Sequence, residues 1–70
     1  MNPITIELCN SPADGLSVKF SDSDKHTLRY YGMLNCSQQV LCEFIEKCNH
    51  NQISADEIDY VMSDFLNTIQ

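Results

Sequence analysis

The chain has 70 residues, of which 43% are hydrophobic, and this length allows one small domain spanning residues 1–70. No run of about 18 apolar residues is present, so no helix is expected to cross a membrane. Ten Asp and Glu against four Lys and Arg give a formal net charge of −6. This charge argues against direct binding to nucleic acid or to an anionic membrane, because Lys and Arg must neutralise the phosphates.

The first residues predict where the protein resides. Residues 1–4 have neither the basic segment nor the long apolar segment of a signal peptide. The chain is therefore predicted to stay in the cytoplasm, where its four cysteines remain reduced.

Three segments alternate apolar with polar residues, as strands with one solvent-facing side do. They predict β1 near residues 3–9, β2 near 16–21 and β3 near 26–33. Turn-forming residues fill 10–15 and 21–25, which predicts an antiparallel three-stranded meander. Strict alternation directs Leu28 and Tyr30 of β3 to the core. It directs seven residues to an open sheet face: Thr5, Glu7, Ser17, Lys19, Thr27, Arg29 and Tyr31.

After Gly32 the apolar period becomes that of helices. The first helix, α1, is predicted over about 37–49, with Asn35 or Ser37 as N-cap. Its apolar side consists of Val40, Leu41, Phe44, Ile45 and Cys48.

The second helix, α2, is predicted over 54–69. Ser54 at the N-cap and Glu57 at N3 form a capping box, and Ile53 and Ile58 are placed for a hydrophobic staple. Its apolar stripe is Ile58, Val61, Met62, Phe65, Leu66 and Ile69. The order βββαα predicts an α+β two-layer sandwich, in which two C-terminal helices pack on one face of the meander.

Cys36, Cys42 and Cys48 are spaced six residues apart, which argues against a shared metal or a disulfide. A step of six along a helix separates side chains by roughly 120° around the axis and about 9 Å along it. Cys48 is predicted to be a core thiol and Cys42 to point away from the core. Cys36 lies at the helix start, a position where a helix dipole can lower a thiol pKa, but no base or resolving thiol is placed beside it. Four reduced, metal-free cysteines are expected.

The segment 51–62, from Asn51 through Glu57 to Met62, resembles the second half of an EF-hand and its exit helix. Aligning the last loop glutamate with Glu57 puts Glu46, Cys48 and His50 at ligand positions and Asn51 where the loop requires Gly. Cys and His are poor calcium ligands, so neither a calcium site nor another metal site is predicted here.

Other chemistry is not indicated by the sequence. Asp22 and Asp24 are interpreted as turn residues whose side chains bond to nearby amides. His26 and His50 have no evident partner set. The chain contains no Gly-rich phosphate loop, nucleophile elbow or Ser-His-Asp order. No catalytic residue, cofactor or metal is predicted, and the protein is expected not to be an enzyme.

Acidic side chains on the outer side of the helices form the first candidate partner-binding surface. Carboxylates one turn apart lie about 5–6 Å from each other, near the spacing of phosphates along one DNA strand. The predicted residues are Glu43, Glu46, Asp56, Asp59, Tyr60 and Asp64. An ordinary solvated helix face is the alternative interpretation.

The open sheet face is the second candidate. Lys19, Arg29 and Tyr31 are predicted to project there, and tyrosine is favoured at interfaces. This placement predicts a molecule that is acidic on its helices and mildly basic on its sheet. An ordinary exposed face is again the alternative.

Two functions remain for a chain of this kind. The first is a small acidic inhibitor that occludes a basic, nucleic-acid-binding site on a larger basic protein. In size and charge the chain is similar to small phage-encoded anti-CRISPR and anti-restriction proteins. The second is a structural or regulatory subunit, or a homodimer, that assembles through the open sheet face.

Overall fold

The computed structural model describes residues 4–69, so residues 1–3, with the predicted start of β1, lie outside it, as does Gln70. β1 is Thr5–Ser11, β2 is Gly15–Ser21 and β3 is Thr27–Tyr31. They form one antiparallel sheet in the order β1-β2-β3. α1 is Gln38–Asn51, and a 3-10 turn, Ala55–Glu57, leads into α2, Ile58–Ile69. The predicted α+β fold with the order βββαα is confirmed.

The turn between β1 and β2 is shorter than the sequence suggests. Strand pairing continues to Ser11 opposite Gly15, so only residues 12–14 form the turn. The Ser11 hydroxyl accepts a hydrogen bond from the Asp14 N–H at 3.1 Å. Gly15 has φ +63, a left-handed conformation that glycine adopts without steric cost.

The turn between β2 and β3 is organised by Asp22. Its Oδ1 accepts hydrogen bonds from the N–H groups of Asp24 at 2.9 Å and His26 at 2.8 Å. The predicted turn role of Asp22 is therefore confirmed, and the bonds hold the start of β3 close to the end of β2.

The pairing of β2 with β3 is irregular at one point. Ser21 pairs with Thr27, whereas its neighbour Phe20 pairs with Arg29, so Leu28 is an extra residue in β3. Such a β-bulge shifts the alternation of the strand by one residue from that point onward. Leu28 still packs against the core, and every residue after it lies on the side opposite to the predicted one.

The bulge therefore corrects the predicted sides of β3. Cross-strand partners share a face of the sheet, and Arg29 lies opposite the buried Phe20. The Tyr31 ring meets the Phe20 ring edge-on, with centroids 6.1 Å apart. Tyr30 lies opposite Lys19. The predictions that Arg29 and Tyr31 lie on the open sheet face, and that Tyr30 lies in the core, are wrong.

The core lies between the sheet and the two helices. Its buried apolar residues are Ile6, Val18, Phe20, Leu34, Leu41, Ile45, Cys48, Ile53, Ile58, Met62 and Phe65. Both residues of the predicted staple, Ile53 and Ile58, belong to it. Val40, predicted on the apolar side of α1, is instead 40% exposed. Among residues 4–69, no helix has the length and apolar content needed to cross a membrane.

The predicted polar residues cap the two helical segments of the chain. The Ser37 side chain accepts a hydrogen bond from the Val40 N–H at 3.2 Å, which makes Ser37 the N-cap of α1. At the other helix the Glu57 carboxylate accepts from the N–H and the hydroxyl of Ser54, both at 3.0 Å. These bonds from Ser54 lower the pKa of Glu57. The first turn after Ser54 is a 3-10 turn, so the α-helix itself begins four residues later than predicted.

Candidate protein-binding surface

The helical layer presents its polar residues to solvent as the amphipathic pattern predicts. All six residues of the predicted acidic surface are exposed: Glu43, Glu46, Asp56, Asp59, Tyr60 and Asp64. Tyr60 is 78% exposed although it is large and aromatic. Exposed rings of this kind are enriched in protein interfaces, because one rigid side chain supplies much apolar contact area.

Asp59 differs from the other carboxylates because it is bonded to β3. Its two oxygens accept from Arg29 Nε at 3.1 Å and Nη2 at 3.4 Å, and Oδ1 also accepts from the Tyr31 hydroxyl at 2.9 Å. The hydrogen bond from Arg29, and then that from Tyr31, lower the pKa of Asp59. Burial, followed by the bond to Asp59, raises the pKa of Tyr31. Asp59 therefore joins α2 to the sheet, and its charge is already paired with Arg29.

The other four carboxylates are free. Within residues 4–69 the ion pairs are His26 with Asp22 and Arg29 with Asp59, and neither involves these four groups. We call the set that remains the acidic helical surface: Glu43, Glu46, Asp56, Tyr60 and Asp64. Carboxylates without an internal cation keep their full attraction for an external one.

Two members of this surface border a groove between α1 and α2. The groove has a volume of about 370 Å³, and Glu43 and Asp64 both line it. Its apolar walls include Val40, Phe44, Val61 and Phe65. The rings of Phe44 and Phe65 stack with centroids 4.1 Å apart and an interplanar angle of 17°. We call this feature the helix groove; it brings an apolar surface and two unpaired carboxylates together.

The helix groove was not predicted from the sequence. Amphipathic patterns assigned Val40 and Val61 to the buried stripes of their helices, whereas neither is fully buried. Both residues lie at the margin of their stripe, where the pattern alone does not separate core from groove wall. Their positions at the margin of the stripe were the sequence feature that could have indicated partial exposure.

The open sheet face is less accessible and less basic than predicted. The Tyr30 hydroxyl lies 3.0 Å from both the Asp14 carboxylate and the Ser17 hydroxyl, and Ser17 is fully buried. Lys19 is half-buried and lies opposite Glu7 on β1. With Arg29 and Tyr31 on the helix side, the predicted basic sheet face is wrong.

The four cysteines are spread through the structure as free thiols. Cys48 is buried in the core and Cys42 is exposed, which confirms both predicted placements. Cys36 precedes the N-cap and is half-buried. Burial raises the pKa of the Cys36 thiol, which is opposite to the direction that a helix dipole favours.

One group of potential metal ligands is brought together by the second turn. Single ligand atoms of Asp22, Asp24 and His26 all lie within 4.8 Å of one another, and His26 Nδ1 is 3.5 Å from Asp22 Oδ2. This proximity was not predicted, because the sequence shows no evident partner for His26. Among the described residues, Glu46, Cys48 and His50 do not form such a group.

Comparisons with protein-family models, with curated protein sequences and with solved structures find no match.

Proposed function

We propose that this chain is a non-enzymatic protein-binding module that inhibits a larger protein by occluding its basic, nucleic-acid-binding site. The observation that carries the proposal is the acidic helical surface, whose four carboxylates have no cationic partner within residues 4–69. A formal charge of −6 adds a long-range field that attracts a basic protein.

The geometry favours the helices over the sheet as the binding face. Tyr60 contributes an exposed aromatic ring between the carboxylates, and the helix groove contributes apolar area beside Glu43 and Asp64. Specific interfaces combine a few buried apolar anchors with a charged rim, whereas charge alone produces weak, salt-sensitive association.

The test compares two charge-reversed variants with the same net charge. Glu43→Lys with Asp64→Lys reverses the groove carboxylates, and Glu7→Lys with Asp24→Lys reverses two exposed carboxylates elsewhere. Each pair replaces two charges of −1 by two of +1, so the formal charge changes from −6 to −2 in both. We expect the first pair to lose the partner that the wild-type chain captures from its native cells, mainly through a slower on-rate, and the second pair to retain it.

Nucleic acid supplies the second part of this test. Added duplex DNA should release the captured protein if the chain occupies a nucleic-acid-binding site, and washes at high salt should weaken capture steeply. Circular dichroism confirms that each variant is folded. Equal capture by both variants, or capture that DNA does not affect, contradicts the proposal.

A homodimer or structural subunit assembled through the open sheet face is the second candidate. The exposure of Tyr30 and Met33, 44% and 80%, favours it, since both are large apolar side chains near the β3 edge. Concentration-dependent sedimentation of the purified chain distinguishes this candidate from a monomeric inhibitor.

A further inference from the structure

The helix groove has features that the charge of the surface does not explain. Its apolar lining includes the stacked rings of Phe44 and Phe65 together with Val40 and Val61. Val40 is 40% exposed, so an apolar wall faces solvent in the isolated chain. Covering such a surface gains free energy in proportion to the apolar area removed from water.

We infer that the helix groove binds one apolar side chain, preferably aromatic, projecting from a basic segment of the partner protein. This inference rests on the proposed function and specifies how the same surface recognises its partner. The volume of about 370 Å³ is at the lower end of the roughly 300–1,000 Å³ typical of ligand pockets. An apolar cavity of about 150 Å³ binds benzene, so the groove has room for an aromatic side chain and part of its flanking residues.

The charges around the groove determine what flanks that side chain. Glu43 and Asp64 line the groove as free carboxylates, and Lys47 is the single basic residue among its lining residues. Two negative groups against one positive group favour Lys or Arg beside the anchor, because like charges brought together cost binding energy. A segment with an aromatic residue between basic residues can place its ring in the apolar groove and its positive charges beside Glu43 and Asp64.

Short synthetic peptides provide a probe that does not depend on knowing the partner. The first is a capped seven-residue peptide with a central phenylalanine and three lysines on each side. The second replaces the phenylalanine by glycine, and the third replaces the six lysines by glutamates. Binding is followed by ¹H–¹⁵N NMR of the labelled wild-type chain.

The first peptide should shift the amide signals of Val40, Phe44, Val61 and Phe65. The glycine peptide lacks the buried ring, so its affinity should be lower by about tenfold or more. It should leave those signals unchanged. The glutamate peptide should not bind. Shifts that avoid the groove, or equal binding of the phenylalanine and glycine peptides, overturn the inference. Equal binding of the glutamate peptide overturns its charge requirement.

Three variants test the groove directly. Val40→Trp fills the groove from its exposed wall, and Gln39→Trp places the same ring on a neighbouring exposed position outside its lining. We expect Val40→Trp to reduce binding of the phenylalanine peptide to the level of the glycine peptide, and Gln39→Trp to leave it unchanged. Lys47→Gln should tighten binding of both basic peptides by about twofold, because it removes the repelling charge. Unchanged binding in Val40→Trp, or weaker binding in Lys47→Gln, contradicts the inference.

Partner capture by the charge-reversed pair and by Val40→Trp distinguishes an error in this inference from an error in the proposed function. If charge reversal at Glu43 and Asp64 abolishes partner capture while Val40→Trp does not affect it, the acidic surface acts without an anchor and only the inference is wrong. If charge reversal has no effect on capture, the proposed function itself is wrong, whatever the peptides do.

Discussion

Asp59 joins α2 to the edge strand β3 through three hydrogen bonds, two from the Arg29 guanidinium and one from the Tyr31 hydroxyl. A bidentate pair between arginine and carboxylate fixes orientation as well as distance. Spacing on the helix places Asp59 with the other outward carboxylates, and the sequence contains no sign that it is engaged. Arg29 could be identified as its partner only from the structure, which places Arg29 on the helix-facing side of the sheet.

Replacing Asp59 by Asn tests this connection through its pH dependence. Because hydrogen bonds lower the pKa of Asp59 below its ordinary value of 3.8, the ionised form stabilises the fold above that value. This contribution is lost as the pH falls through the lowered pKa. Asp59→Asn should therefore be less stable than the wild type near neutral pH, and the difference should shrink in acid.

Urea denaturation of both proteins from about pH 7 down to about pH 3 measures that difference. Asp24→Asn is the matched control, since Asp24 is exposed in a turn and is not paired with Arg29. Its difference from the wild type should be small throughout. A difference for Asp59→Asn that stays constant across this range argues against an ionic contribution.

At the scale of elements, β3 shows where sequence patterns stop being sufficient. Leu28 and Tyr30 alternate as in a regular strand, yet the extra residue at Leu28 exchanges the sides of Tyr30 and Tyr31. Because both residues are tyrosines, residue type does not indicate which of them faces the core. A bulge depends on how two strands pair, and the residues of one strand do not record it.

The unequal roles of these two tyrosines lead to a stability prediction. Tyr31→Ala removes a ring packed edge-on against Phe20 and a hydroxyl bonded to Asp59, and should cost about 2–4 kcal/mol. Tyr30→Ala removes a ring that is 44% exposed and should cost about 1 kcal/mol. Urea denaturation midpoints give both values. Equal losses, or a larger loss for Tyr30→Ala, would mean that β3 follows the simple alternation.

The helices were predictable because local signals agreed with the apolar period. Ser37 caps α1 and Ser54 caps the 3-10 turn that leads into α2, where Glu57 accepts a hydrogen bond from the Ser54 N–H. Ile58, Met62 and Phe65 follow the helical repeat and are all buried. Bonds within one turn depend on neighbours in the sequence, so they can be predicted from it.

At the scale of the whole molecule, the acidic helical surface and the helix groove have different origins. The exposure of Glu43, Asp56 and Asp64 follows from the amphipathic pattern and was predicted. The groove depends on how α1 and α2 lie relative to each other, with the rings of Phe44 and Phe65 stacked across them. No residue pattern within either helix encodes a distance between helices, so the groove required the structure.

A small core makes the whole molecule sensitive to single substitutions. At about 0.05–0.15 kcal/mol per residue, a chain of 70 residues has a total stability of roughly 4–10 kcal/mol. Met62 lies on the buried side of α2 with 1% exposure, and truncating such a side chain to Ala costs about 2–5 kcal/mol. Met62→Ala should therefore lose a large share of the total, with an unfolding midpoint in urea far below that of the wild type.

Tyr60→Ala, two positions earlier on the same helix, is the matched control for that prediction. Its side chain is 78% exposed, so the change should stay within about 0.5 kcal/mol of the wild type. Similar midpoints for the two variants would contradict the assignment of the Met62 side of α2 to the core. A stable Tyr60→Ala variant that loses the partner would identify Tyr60 as a binding residue, because its folding contribution would already be shown to be small.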